Sequence, residues 1–107
     1  MKEKFLPIGT VVTLKGGTVK LMIVGFCAIS PDHEGLMFDY SAVPYPVGEI
    51  IEGGRGLFNH DQIEIINHMG YESEEDEEYK QEIKTFLEIG NEEYKKLVES
   101  KLKEVNN

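Results

Sequence analysis

Apolar and β-branched residues lie on both sides of a glycine pair in residues 6–26, which read LPIGTVVTLKGGTVKLMIVGF. Gly16 and Gly17 accept the positive φ angles that a two-residue hairpin turn needs. With these glycines as the turn, Val12 lies opposite Leu21, and a one-residue slip would divide the apolar residues between both faces. The pattern therefore predicts a β-hairpin with a well-specified register. Its apolar face holds Leu14, Val12, Val19, Leu21 and Ile23.

Further short β-rich segments follow, separated by turns that contain proline and glycine. We predict strands over residues 36–43, 49–51 and 63–67, and a short helical or 3-10 turn over 59–62 with Asn59 as its cap. The third strand is expected to end before Pro44, because proline lacks the N–H that a β ladder needs. Five short strands with tight turns predict a small SH3-like β barrel or a strongly bent antiparallel sheet.

The residues after Gly70 change to a helical pattern. Ser73 and Asp76 resemble a capping box, which predicts a helix start. Gly90 predicts the end of this helix, and Asn91 caps a second one. The first apolar face holds Tyr79, Ile83, Phe86 and Leu87, and the second holds Tyr94, Leu97, Val98, Leu102 and Val105. The predicted fold class is therefore α+β, with a β-barrel-like domain over 1–70 and an acidic segment of two C-terminal α-helices over 71–107.

Acidic residues are concentrated in the second of these domains. Residues 1–70 carry five basic and eight acidic side chains, whereas residues 71–107 carry six basic and twelve acidic ones. This charge repels nucleic-acid phosphates and anionic membranes, and it favours a basic protein partner. No apolar run reaches the ~18 residues of a membrane span. With a single cysteine and no signal-peptide pattern, the chain is expected to be cytoplasmic and to insert into no membrane.

Aromatic and acidic side chains are the candidates for partner binding. SH3-like barrels bind peptides in aromatic-lined grooves. We therefore consider Tyr40 and Tyr45 as candidates, while Phe38 and Phe58 fit a core better. The apolar stripe of the first helix, including Phe86, either folds back on the barrel, pairs with the second helix or docks on another protein. The acidic candidates are Glu74, Glu75, Glu77 and Glu78.

Residues of types used in catalysis and metal binding are present, but their spacing matches no known motif. Ser41, His60 and either Asp39 or Asp61 are the ingredients of a triad, without a Gly-x-Ser-x-Gly sequence. Cys27 lies in an apolar strand, where a small buried side chain is expected. The histidines and neighbouring acids that could supply metal ligands have no metal-ligand spacing; they are Asp32, His33, Glu34, His60, Asp61 and His68. We therefore expect no catalytic residue, cofactor or metal, and a small enzyme using His60 and Asp61 remains an alternative.

Several segments, in this order along the chain, resemble a small domain-of-unknown-function family of Gram-positive bacteria. The segments are LPIGTVV (6–12), LKGG (14–17), KLMIVG (20–25), FDY (38–40), YPVG (45–48) and LFNHDQI (57–63). The resemblance covers nearly the whole chain and includes the acidic tail. Members of that family lie in type VII secretion gene clusters, often near toxins with an LXG secretion domain. The resemblance implies a cytosolic accessory factor or chaperone without a known catalytic residue, and the alternative is an immunity protein that blocks a cognate toxin.

Overall fold

A computed structural model describes residues 4–30, 36–50, 54–89 and 99–100 of the 107-residue chain. The chain divides into two compact units, Met1–Glu72 and Ser73–Asn107. The described part of the first unit contains a β-sheet, and that of the second contains an α-helix.

The sheet of the first unit has five antiparallel strands in the order β4-β3-β2-β1-β5. A 3-10 turn, His60–Gln62, precedes the last strand. The strands are β1 (Val11–Leu14), β2 (Lys20–Ile29), β3 (Met37–Tyr45), β4 (Gly56–Phe58) and β5 (Ile63–His68). Because β4 and β5 lie at opposite edges, the sheet is open.

The predicted barrel with two C-terminal helices is therefore wrong. Closure would require the two edge strands to pair, but β4 has only three residues and it pairs with β3 alone among the described strands. Barrel closure depends on strand number, tilt and stagger, which an alternating apolar pattern does not encode. The described residues contain one complete α-helix. The second predicted helix, over residues 91–105, lies outside the described residues except for Glu99 and Ser100.

The register of the predicted hairpin is confirmed, because Val12 pairs with Leu21 and Thr13 pairs with Lys20. The two-residue turn is wrong, because β1 ends at Leu14 and β2 begins only at Lys20. Within this longer connection, the Gly17 N–H donates to the Leu14 carbonyl oxygen at 3.0 Å. Gly16 alone of the two glycines has a positive φ, at 76°.

We expect Gly16→Val to lower the free energy of unfolding by about 1–2 kcal/mol, because a β-branched residue resists the left-handed conformation. The matched control is Gly17→Val, whose Cβ would meet the Leu14 carbonyl oxygen at an ordinary contact distance of 3.4 Å. Urea denaturation of both variants measures the difference. Equal midpoints for the two variants would show that the turn does not depend on the conformation of Gly16.

Two strand boundaries differ from the predictions. β3 continues through Pro44, which lies opposite Leu21 in the ladder. On the other side of β3, β4 pairs only with Tyr40, Ser41 and Ala42, so a proline beyond them interrupts no ladder there. The strand predicted over residues 49–51 is instead Gly56–Phe58; Glu49 and Ile50 lie outside any strand.

The N-terminal residues before β1 belong to the core of the first unit. Phe5 and Leu6 are as deeply buried as Val12, Ile23 and the other central residues of the sheet. The Phe5 ring meets the edge of the Phe26 ring, with centroids 6.0 Å apart. This packing places the first described residues of the chain beside β3, where the candidate site lies.

The second unit contains α1 (Glu74–Ile89). Its predicted start is confirmed, because the Asp76 N–H donates to Ser73 Oγ at 3.2 Å and satisfies one of the first helical N–H groups. On the predicted apolar face, Ile83 and Phe86 are buried, whereas Tyr79 and Leu87 are partly exposed. The helix therefore has a narrower buried stripe than its sequence pattern predicts.

Candidate functional site

An open cleft of about 450 Å³ lies on the first unit. We call it the His60 cleft. Its lining side chains come from the N-terminal segment, from β3 and from the 3-10 turn with its cap; they are Lys4, Asp39, Asn59, His60 and Asp61. Positive, negative and imidazole groups therefore share one surface depression, although the chain separates Lys4 from His60 by 55 intervening residues.

Tyr40 supports one side of His60 from within the core. Its ring is fully buried, and its hydroxyl lies 2.7 Å from His60 Nδ1. The same hydroxyl oxygen accepts the backbone N–H groups of Phe5 and Leu6 at 3.0 and 3.1 Å. Burial raises the pKa of Tyr40 to about 12, so the phenol remains protonated and can donate. Tyr40 therefore links the N-terminal segment to His60.

Asp39 holds the backbone around the cleft. Its Oδ2 accepts the backbone N–H of His60 at 2.9 Å, and its Oδ1 forms an ion pair of 3.3 Å with Lys4. Its own N–H donates to Asn59 Oδ1 at 3.0 Å. Because the carboxylate is mostly buried, these charge-assisted bonds are expected to be stronger than those of an exposed pair. Asp39 therefore orients the turn that carries His60.

Gln62 closes the 3-10 turn through its side chain and its backbone. Gln62 Oε1 accepts the Asn59 N–H at 2.8 Å, and the Gln62 N–H donates to the Asn59 carbonyl oxygen at 3.0 Å. The predicted turn over residues 59–62, with Asn59 before its first helical residue, is confirmed. This closed turn presents His60 and Asp61 side by side at the cleft.

The Cys27 thiol stands near this network. The pairings on either side in the ladder place Cys27 opposite Asp39. Burial raises the pKa of Cys27 to about 11, the Asp39 carboxylate adds to the rise, and Lys4 opposes it. The thiol therefore stays protonated at neutral pH, and a protonated thiol is a poor nucleophile. This environment favours a structural role for Cys27.

The residues predicted to bind a partner lie in different surroundings. Tyr40 is fully buried, so its ring contributes to no exposed groove, whereas Tyr45 is 50% exposed at the end of β3. Phe86 is 5% exposed. The four predicted glutamates, Glu74, Glu75, Glu77 and Glu78, are all exposed in the first turns of α1. The acidic surface and Tyr45 are thus accessible to a partner.

The candidate catalytic and metal-binding residues are only partly brought together. His60 and Asp61 line the cleft beside Asp39. Ser41 is buried. Its Oγ packs closely against Gly25 of β2, because a Cβ atom added at Gly25 would lie only 2.6 Å from it. Residues 31–35, which include His33, lie outside the described residues. Within the described ranges, no group of three His, Cys, Asp or Glu side chains could hold a metal ion.

Two cleft residues, Lys4 and Asn59, were missed as site residues by sequence reasoning. Lys4 lies before the first predicted strand, and Asn59 was expected only to cap its turn. Both contact Asp39. Their role depends on contacts across 35 and 20 positions of the chain, and no local pattern signals such contacts.

The comparison with protein families identifies the chain. Residues 5–79 match the model of the family described as Domain of unknown function (DUF4176), so the chain belongs to this family. The match includes the first turns of α1 and every residue of the cleft except Lys4. The comparisons found no matching curated protein and no matching solved structure.

A helix crosses a membrane only if it is long enough and sufficiently apolar. Across the described part of the chain, no helix has both the length and the apolar composition needed to cross a bilayer.

Proposed function

We propose that this protein is a non-enzymatic protein-interaction module that serves as a cytosolic accessory factor or chaperone for a type VII secretion system or its toxin substrate. The observation that carries the interaction role is the acidic surface, defined as Glu74, Glu75, Glu77 and Glu78 of α1, all four exposed. The link to type VII secretion is supported by the family resemblance of the sequence alone.

The charge of α1 supports a basic partner. The helix carries seven acidic and two basic side chains over sixteen residues. One of the two basic residues, Lys80, is buried and lies 3.7 Å from Asp76 and 3.4 Å from Glu77. Its ammonium therefore offsets part of the charge of Glu77, one member of the acidic surface. With seven acidic against two basic side chains, the helix remains strongly negative. Such a surface increases the association rate with a positively charged protein and favours it over other partners.

We expect the quadruple variant Glu74→Gln, Glu75→Gln, Glu77→Gln, Glu78→Gln to bind its partner at least about tenfold more weakly at low salt, because the attraction between opposite charges is lost. The measurement is calorimetric titration with the partner obtained by affinity capture, at low and high salt. The wild-type affinity should fall as salt rises, and the variant should show a much smaller salt dependence.

The control variant is Glu49→Gln, Glu64→Gln, which removes exposed charges from the first unit. It should retain the wild-type affinity and salt dependence. If the quadruple variant binds as tightly as the wild type at both salt concentrations, the acidic surface is not the binding site. Circular dichroism should show that both variants keep the wild-type fold.

An immunity protein that neutralises a cognate toxin is the alternative within the binding class. An acidic surface suits the occlusion of a basic nuclease site. A deletion strain separates the two roles. Loss of toxin secretion in that strain favours the accessory factor, whereas self-intoxication that the intact gene rescues favours the immunity protein.

The His60 cleft is the one observation that favours a small enzyme instead. It brings His60 and Asp61 together with Lys4 in a depression of about 450 Å³, which is large enough for a small ligand. A ligand that raises the melting temperature of the wild type, but not of Asp61→Asn, would support this alternative.

A further inference from the structure

We propose that the hydrogen bond between Tyr40 and His60 is a proton-sensitive latch that holds the N-terminal segment, residues 4–6, on the sheet. We call the four groups that form it the Tyr40 latch: the Tyr40 hydroxyl, His60 Nδ1, and the backbone N–H groups of Phe5 and Leu6. The latch lies entirely within the first unit, and it does not depend on the proposed partner.

The hydrogen-bonding capacity of the Tyr40 hydroxyl decides the protonation state of the neutral latch. A phenol oxygen accepts two hydrogen bonds and donates one. Both acceptor positions are occupied, by the Phe5 N–H at 3.0 Å and the Leu6 N–H at 3.1 Å. The hydroxyl proton is therefore donated to His60 Nδ1, 2.7 Å away. Neutral His60 must then carry its own proton on Nε2.

Protonation of His60 conflicts with this arrangement. In an imidazolium, both ring nitrogens are donors. The Nδ1–H of His60 would point at an oxygen whose acceptor positions are already filled by Phe5 and Leu6. One hydrogen bond of the latch must then be lost, because the Tyr40 oxygen has no third position for a donor. Acid is therefore expected to weaken the attachment of the N-terminal segment.

Charged side chains of both signs surround His60. The described charged side chains that line the cleft with His60 are Lys4 on the N-terminal segment, Asp39 on β3 and Asp61 on the turn itself. Imidazole side chains as a class change charge between about pH 5 and pH 8, and this sets the pH range of the test below.

Opening of the latch would uncover apolar surface. Phe5 and Leu6 are both 2% exposed, and the Phe5 ring lies against Phe26 and Tyr40, with centroids 6.0 and 6.2 Å away. When the N-terminal segment leaves the sheet, these aromatic rings face solvent. The latch therefore couples the proton concentration to the exposure of an apolar surface beside the His60 cleft.

Amide hydrogen exchange of the full chain, followed by NMR, tests the latch. From about pH 8 to about pH 5.5, we expect the protection factors of the Phe5 and Leu6 amides to fall about tenfold, the loss typical of one hydrogen bond. Protection factors already include the intrinsic pH dependence of exchange. The internal control is the Ile23 amide, which donates to the Thr10 carbonyl oxygen at 2.8 Å and should keep its protection.

The matched variant is His60→Asn, whose side-chain oxygen can accept the Tyr40 proton near the position of Nδ1 but does not titrate. Its Phe5 and Leu6 amides should stay protected over the whole pH range. Unchanged protection in the wild type, or an equal loss in the variant, overturns the proposal.

A measurement on the wild type alone does not depend on folding of the variant. The ¹⁵N shifts of the His60 ring at about pH 8 should place the proton on Nε2, and a proton found on Nδ1 also overturns the proposal.

Discussion

Tyr40→Phe is expected to lower the free energy of unfolding by about 3 kcal/mol, because it leaves two buried N–H groups without an acceptor. The hydroxyl that is removed accepts the Phe5 and Leu6 N–H groups and bonds to His60. Phe5 and Leu6 are too deeply buried for water to replace the lost acceptor. The ring itself is unchanged, so the packing of the aromatic core contributes little to the difference.

Tyr45→Phe is the matched control for this experiment. The same atom is removed, but Tyr45 is half exposed at the end of β3. Its effect on stability should stay within about 0.5 kcal/mol, as for most surface substitutions. Urea denaturation followed by tyrosine fluorescence or circular dichroism measures both variants. If both substitutions lower the free energy of unfolding by the same amount, the Tyr40 hydroxyl does not stabilise the attachment of the N-terminal segment.

The second large effect is expected in α1. Phe86→Asp should lower the free energy of unfolding by about 4 kcal/mol, because it replaces a buried aromatic side chain with an unpaired carboxylate. Phe86 is 5% exposed. The variant should lose helical signal in circular dichroism at temperatures where the wild type is folded.

Leu87→Asp provides the control at the neighbouring position, where the side chain is 44% exposed. It introduces the same charge into the same turn of the helix, so the two variants differ mainly in the burial of the carboxylate. We expect this variant to lower the free energy of unfolding by less than about 1 kcal/mol. A harmless Phe86→Asp would show that the burial of Phe86 contributes nothing to folding.

The sequence could predict the elements that depend on neighbours in the chain. The pairing of Val12 with Leu21 follows from alternation on both sides of one turn, and the start of α1 follows from Ser73 and the acidic residues after it. The turn at His60–Gln62 and strand β5 were found in the same way. In each case the decisive hydrogen bonds or side-chain periods span only a few residues.

The candidate site could be predicted only in part. His60 and Asp61 were identified by residue type and by their shared turn, and the structure places both in the cleft. The partners of Asp39 could not be found, since Lys4 and His60 reach it from opposite ends of the first unit's sequence. Tyr40 was considered as a surface residue because an aromatic residue in a strand can face either the core or a binding groove.

Only the tertiary structure decided whether the sheet closes and which side chains meet. Five short strands fit a barrel and an open sheet equally well, and the choice depends on strand tilt and on whether β4 and β5 pair. The burial of Tyr40 likewise depends on Phe5 and Leu6, which lie 35 and 34 positions away and supply the donors for its hydroxyl. A sequence pattern records the period of an element, but it does not record which distant backbone groups need a partner.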